Sequence, residues 1–370
     1  MRWHLYCRVV DNLGDIGVAW RLAADLASRG EDVRLAVDDA GALAWMAPGG
    51  DRRVEVCRWA DVPTSSPDVV VELFGGGLPE AAANAVADAA EKAGDKAGDK
   101  ARADAEPAPV VVNVEHLSAE SYVERSHGLP SPRRTARGAP YTTWYVYPGF
   151  TAATGGLIRE PGLDAARAAF EPVAWLGTLG IAARADERRV ALFCYDGSPV
   201  EALVGALRSR PTLLLAAPGA AAAQVRAALG PTMAVDALRA VVLPALPQLD
   251  FDRLLWACDL NLVRGEDSPV RATWAGAPFV WQLYRQADGA HGIKLDAFLD
   301  RFLAGAPAPL AERVRSLFAA WNGGGSSLDP ALLEPALLAA WATRCRAWRA
   351  GLATRVDLVT GLIGFVESKR

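Results

Sequence analysis

The sequence predicts an α/β protein made of two similar halves, each a mostly parallel sheet with helices between its strands. Three observations predict it. Short apolar runs alternate with helical patterns along most of the chain, which is the pattern of parallel sheets. At 370 residues the chain exceeds the size at which a single core usually splits in two. With 51% hydrophobic and 22% charged residues, both halves can bury a full core.

In the first half the runs at 5–10, 33–37, 54–58, 69–74 and 110–114 read as strands. The first leads into a helical pattern from Val18 to Leu26 through the loop Asp11-Asn12-Leu13-Gly14-Asp15-Ile16-Gly17. The tract 91–106 contains a near-tandem Ala-Gly-Asp-Lys repeat and reads as a solvated helix extension or a loop. Residues 126–139, rich in Pro, Arg and Gly, read as a surface loop. In the second half the strands are expected at 189–195, 212–217, 240–243, 260–263 and 278–282, with helices such as 200–209 and 220–229 between them. From Lys294 onward the pattern is helical and ends in a long amphipathic stretch over 330–368, where Trp321, Trp341 and Trp348 fill packing positions.

Two segments carry chemistry. Asp11 and Asp15 fall where a strand hands over to a helix, the edge at which open α/β sheets bind ligands. Two carboxylates there can divide into a base and an orienting partner. Asp15 is equally suited to cap a helix that starts at Ile16. The second segment is Asn261-Leu262-Val263-Arg264-Gly265-Glu266-Asp267-Ser268-Pro269-Val270-Arg271, where a buried strand ends and Ser268-Pro269 reads as N-cap and first helical residue. Backbone N–H groups and Arg264 would face an anion such as a diphosphate. Glu266 and Asp267 would then handle a cation, sugar hydroxyls or a proton. Phe251, between Asp250 and Asp252 on an expected loop, is a candidate base-stacking platform.

Composition excludes several classes. A net charge of -4 and a pI near 5.7 argue against nucleic acid as the partner. The cysteines Cys7, Cys57, Cys194, Cys258 and Cys345 have no CxxC spacing and read as reduced core residues. Four dispersed histidines give no metal site. No apolar run reaches membrane-span length and no signal-peptide core opens the chain, so a soluble cytoplasmic protein is expected. No GxGxxG follows the first strand, and Asp11 and Asp15 would repel a pyrophosphate there, against a dinucleotide oxidoreductase.

Several motifs, taken in order, resemble one family. These are Asp11-Asn12-Leu13-Gly14-Asp15-Ile16-Gly17 with Trp20-Arg21-Leu22, then Val114-Glu115-His116-Leu117-Ser118-Ala119-Glu120 and Tyr147-Pro148-Gly149-Phe150. Leu192-Phe193-Cys194-Tyr195, Leu246-Pro247-Gln248 and Arg264-Gly265-Glu266-Asp267-Ser268 complete the set. Together they are similar to the bacterial protein-arginine rhamnosyltransferases that modify elongation factor P. The resemblance implies a GT-B glycosyltransferase: two Rossmann-like domains facing each other across a cleft, with an acceptor domain over 1–184, completed by about 350–370, and a donor domain over 185–349. It implies dTDP-β-L-rhamnose as donor, elongation factor P as acceptor, an α-rhamnosyl arginine formed with inversion, and neither metal nor other cofactor.

Carried over by position, the resemblance implies that Asp11, Asp15 and Glu266 are catalytic. Asp11 and Asp15 also bind the acceptor. Tyr195, Arg264, Asp267 and Ser268 hold the diphosphate, with Glu266 on the donor side, and Gln248 and Phe251 contact thymine. The tract 91–106 stands out as an insertion, Pro269 replaces a common aromatic, and Gly75-Gly76-Gly77 replaces a less flexible stretch. Two rivals are a non-catalytic partner of the translation factor and a nucleotide-sugar transferase with another acceptor.

Overall fold

The computed structural model describes residues 1–11, 13–61, 67–95, 107–284, 289–324 and 328–370. The chain divides into two compact units, Met1–Pro161 with Arg355–Arg370 and Gly162–Thr354. The first unit holds strands β1 (Arg2–Cys7), β2 (Asp32–Val37), β3 (Val54–Arg58), β4 (Val69–Leu73), β5 (Val110–Val114), β6 (Pro130–Arg134) and β7 (Pro140–Val146) in the order β3-β2-β1-β4-β5-β7-β6. All neighbours run parallel except β6 against β7. The second holds β8 (Arg188–Leu192), β9 (Thr212–Ala216), β10 (Ala234–Val235), β11 (Leu238–Val242), β12 (Leu260–Arg264) and β13 (Phe279–Gln282) in the order β10-β11-β9-β8-β12-β13. Only β10 is antiparallel there.

The central strands are covered on both faces, which is why their sequences run apolar without alternating. Every residue of β4, β5 and β9 is buried. The edge strand β3 has only Val54 fully buried. In both sheets the chain steps outward on one side of the first strand and later returns on its other side. That reversal places a crevice beyond the carboxyl ends of β1 and β8.

Three expectations need correcting. Residues 126–139 are not a loop, because Pro130–Arg134 forms edge strand β6. Proline is tolerated on an edge, where its missing N–H costs no ladder bond, and that disguised the strand. The amphipathic stretch 330–368 is not continuous. It breaks into a 3₁₀ turn Pro330–Leu333, a helix Pro335–Ala353 and a last helix Leu358–Glu367. Asp357 ends the continuity by accepting the Thr360 N–H at 2.9 Å as an N-cap.

Residues 162–184, grouped by the sequence with the first half, belong to the second unit. Phe170 packs edge-to-face on Trp256 at 5.5 Å, and the Trp175 indole donates to Asp250 at 3.3 Å. The last helix belongs to the first unit, where Leu358, Val359, Leu362 and Val366 join the core that contains Trp3, Leu5 and Leu22. Leu358 N–H donates to the Leu157 carbonyl at 2.9 Å, and Arg29 pairs with Asp357 at 2.8 Å. Gly156 has φ +76, and a side chain there would meet the Val356 carbonyl at 2.5 Å, so glycine is required.

The helix Glu80–Asp95 takes up the start of the 91–106 tract, and its residues from 96 lie outside the described residues. Trp321 and Trp341 are fully buried, in keeping with packing roles. The five cysteines are free thiols, all buried except the half-buried Cys57. No helix among the described residues is long and apolar enough to cross a membrane.

Candidate active site

In the first unit the chain leaves β1 and enters the helix Gly14–Ser28, with Asp15 as its second residue. Asp15 does not cap that helix. Leu13 occupies the cap position and makes no side-chain cap bond. The Asp15 carboxylate turns back instead, and Oδ2 accepts the N–H groups of Val10 at 2.8 Å and Asp11 at 2.9 Å. Asp15 is only 3% exposed. Burial pushes its pKa up. The two backbone bonds and the charge of His116 oppose that shift, and Asp11 adds to it. Asp11 is half-buried beside it, and Asn12 lies outside the described residues.

Sequence reading gave His116 no role, although it stood within a quoted motif. It follows β5, and its ring stacks on Phe74 with centroids 4.6 Å apart and planes 16° from parallel. Phe74 follows β4 with φ +58, a left-handed conformation rare for a bulky side chain. The ends of β1, β4 and β5 thus gather a buried carboxylate, a second carboxylate and an imidazole. Such a group can orient a cation and take a proton from it.

In the second unit Phe193 and Tyr195 follow β8, while Arg264 ends β12, the strand paired with it. The Arg264 guanidinium lies 4.6 Å from the Phe193 ring centroid and 4.3 Å from that of Tyr195. Gln282, at the end of β13, fixes the loop after β8. Its Oε1 accepts the Tyr195 N–H at 3.0 Å and its Nε2 donates to Ser198 Oγ at 2.8 Å. Gly265, with φ +76, makes the turn into the helix Asp267–Ala275.

The N-cap expected at Ser268 is not there. Glu266 holds the cap position without a side-chain bond, Ser268 is the second helical residue and Pro269 the third. The Ser268 hydroxyl donates back to the Arg264 carbonyl, which ties the helix to the strand end. Phe251 is not on a loop either. Gln248 opens the helix Gln248–Ala257, and Phe251 sits one turn later, edge-to-face on Phe193 at 5.6 Å. Pro247-Gln248-Leu249 reads as a turn in the sequence, and it misled because its proline directly precedes the helix. Gln248 is buried at that helix start. The structure therefore joins Phe251, Phe193, Arg264 and Tyr195 into one chain of contacts. Glu266, Asp267 and Ser268 follow Arg264 directly. Lys294, which sequence reading missed, places Nζ 2.7 Å from Glu266 Oε1.

A cation between aromatic rings at a helix start is suited to an anionic leaving group. The paired carboxylates in the other unit suit a cationic acceptor. Two Rossmann-like units carrying these groups at their switch points define a GT-B glycosyltransferase. Residues 3–367 match the family described as Elongation-Factor P (EF-P) rhamnosyltransferase EarP, and the chain belongs to that family. It is 38% identical to a protein-arginine rhamnosyltransferase of Pseudomonas aeruginosa, over 98% of both chains. A solved structure that gives the structural basis for EarP-mediated arginine glycosylation of translation elongation factor EF-P superposes with a TM-score of 0.68. It shares 28% identity and covers 100% of this chain and 99% of that one. The crystal structure of Acinetobacter baumannii MurG shares the fold alone, with a TM-score of 0.51 at 14% identity, covering 100% of this chain and 99% of that one.

Proposed function

We propose that this chain transfers L-rhamnose from dTDP-β-L-rhamnose to an arginine side chain of elongation factor P, with inversion and without a metal ion. A guanidinium is protonated at physiological pH and is a poor nucleophile. Asp15 takes a proton from the attacking nitrogen as its bond to the anomeric carbon forms, and Asp11 orients the guanidinium. The bond from that carbon to the diphosphate oxygen breaks from the opposite face, and its electron pair leaves with dTDP. The β donor thus becomes an α-rhamnosyl arginine.

On the donor side Arg264, Tyr195, Ser268 and the backbone at Asp267 stabilise the departing diphosphate, which supplies the charge balance a divalent ion gives elsewhere. Glu266 serves the sugar or the developing charge, and Gln248 and Phe251 hold thymine. The observation that carries the reading is the burial of the Asp15 carboxylate, because raised basicity is what a base for this acceptor needs.

Incubation with elongation factor P and dTDP-L-rhamnose, followed by intact-mass measurement, tests the reading. One added deoxyhexose per factor, unaffected by EDTA and α-configured by NMR, is expected. Binding of the factor without any mass change would leave a non-catalytic partner. A deoxyhexose on another protein in its place would move the acceptor.

A further inference from the structure

One cation beside the donor residues has no part in the reaction described above. Lys294 lies early in the helix Ala290–Phe302, and its Nζ is 2.7 Å from Glu266 Oε1, with side-chain exposures of 18% and 15%. Its ammonium is also 5.6 Å from the Trp281 ring centroid. The Trp281 indole N–H donates to the Gly265 carbonyl at 2.8 Å, directly before Glu266. A single indole therefore anchors the turn that carries Glu266 and backs the cation that pairs with it. Exposed pairs of flexible side chains contribute little. This pair is mostly shielded and braced at both ends.

The neighbouring charges show what the brace does. Glu266 is two residues from Arg264, on the same turn. A flexible carboxylate there would compete for that guanidinium, which the diphosphate needs. We propose that Lys294 is a positioning residue that sorts the charges of the donor site: by holding Glu266 it leaves Arg264 to the anion. The proposal rests on reading Arg264 as the diphosphate residue.

Calorimetric titration of the whole chain with dTDP tests it. Lys294→Met, or Lys294→Gln should that variant fold better, is expected to weaken dTDP binding by about tenfold, a 1.4 kcal/mol difference. Adding Glu266→Gln to either variant should restore affinity to within about threefold of Glu266→Gln alone, because the competing carboxylate is gone. Lys294→Arg should stay near wild type. A double variant as weak as the single one would mean that Lys294 touches the phosphate itself, and unchanged binding in Lys294→Met would make the pair merely structural. Either result overturns the proposal while leaving the donor site standing. A wild-type chain that does not bind dTDP overturns the donor-site reading and the proposal together.

Discussion

Arg271 and Asp252 meet through two hydrogen bonds, Nε to Oδ1 at 2.9 Å and Nη2 to Oδ2 at 2.7 Å, with side chains 1% and 2% exposed. The pair locks the helix that carries Gln248 and Phe251 to the helix that begins at Asp267. Removing one partner strands a buried charge. Arg271→Met or Asp252→Ala is expected to cost about 3–5 kcal/mol in urea unfolding, while the joint change to Met and Leu should regain much of it.

Asp15→Asn should separate chemistry from architecture. Both loop amides bond to one carboxylate oxygen, and the amide oxygen of Asn can accept both. Turnover is expected to fall by roughly two to four orders of magnitude while dTDP affinity stays put. Stability should hold or rise at neutral pH. The folded pKa lies above the ordinary 3.8, so the contribution of Asp15 to stability is full below that value and is lost as pH rises through the raised one. The acid limb of the rate profile should likewise sit above an ordinary aspartate. An active Asp15→Asn enzyme would move the base to Asp11 or Glu266.

Phe251→Ala should weaken dTDP binding by about 1 to 3 kcal/mol, the usual worth of one base–aromatic stack. Its ring also supports Phe193, against which Arg264 rests. Phe251→Leu, which keeps bulk without the ring, distinguishes the two effects: full recovery would assign the loss to support and remove the stacking role.

His4 makes the first unit sensitive to acid. It is buried on β1, and burial, then Arg34 and Arg2, lower its pKa from 6.5 to about 4. The folded protein therefore resists taking up a proton that the unfolded chain accepts. Stability is full above 6.5 and declines as pH falls toward about 4. Urea midpoints of wild type and His4→Val between pH 7.5 and 4.5 check this, and the variant should show a flatter slope.

Much of this architecture could be read from the residues. Continuous apolar runs such as Val110–Val114 marked buried parallel strands, and the carboxylates of the first loop fell on a sheet's carboxyl edge as expected. Most of what stayed hidden depended on partners distant in sequence. Pro130 and Pro132 read as loop because nothing local says that β7 will pair beside them. Phe251 read as loop because Pro247 looks like a turn residue, while the Asp252–Arg271 pair that ties its helix to the next joins residues 19 apart. Lys294 comes 28 residues after Glu266, and no local pattern announces their contact. Ser268 had the right chemistry for a cap, but its hydroxyl found the Arg264 carbonyl instead.

The return of the last helix to the first unit separates the order of synthesis from the order of completion. When a ribosome has made residues 1–161, every strand of that unit's sheet has been synthesised, yet the stretch of its core that Leu358, Val359, Leu362 and Val366 will cover is still bare. The intervening residues 162–354 contain everything their own unit needs, so the second unit can finish first. The first waits for the chain's final residues, when Asp357 reaches Arg29 and Leu358 reaches Leu157. A chain cut short anywhere in the second unit thus carries an unfinished first unit, however complete its second has become.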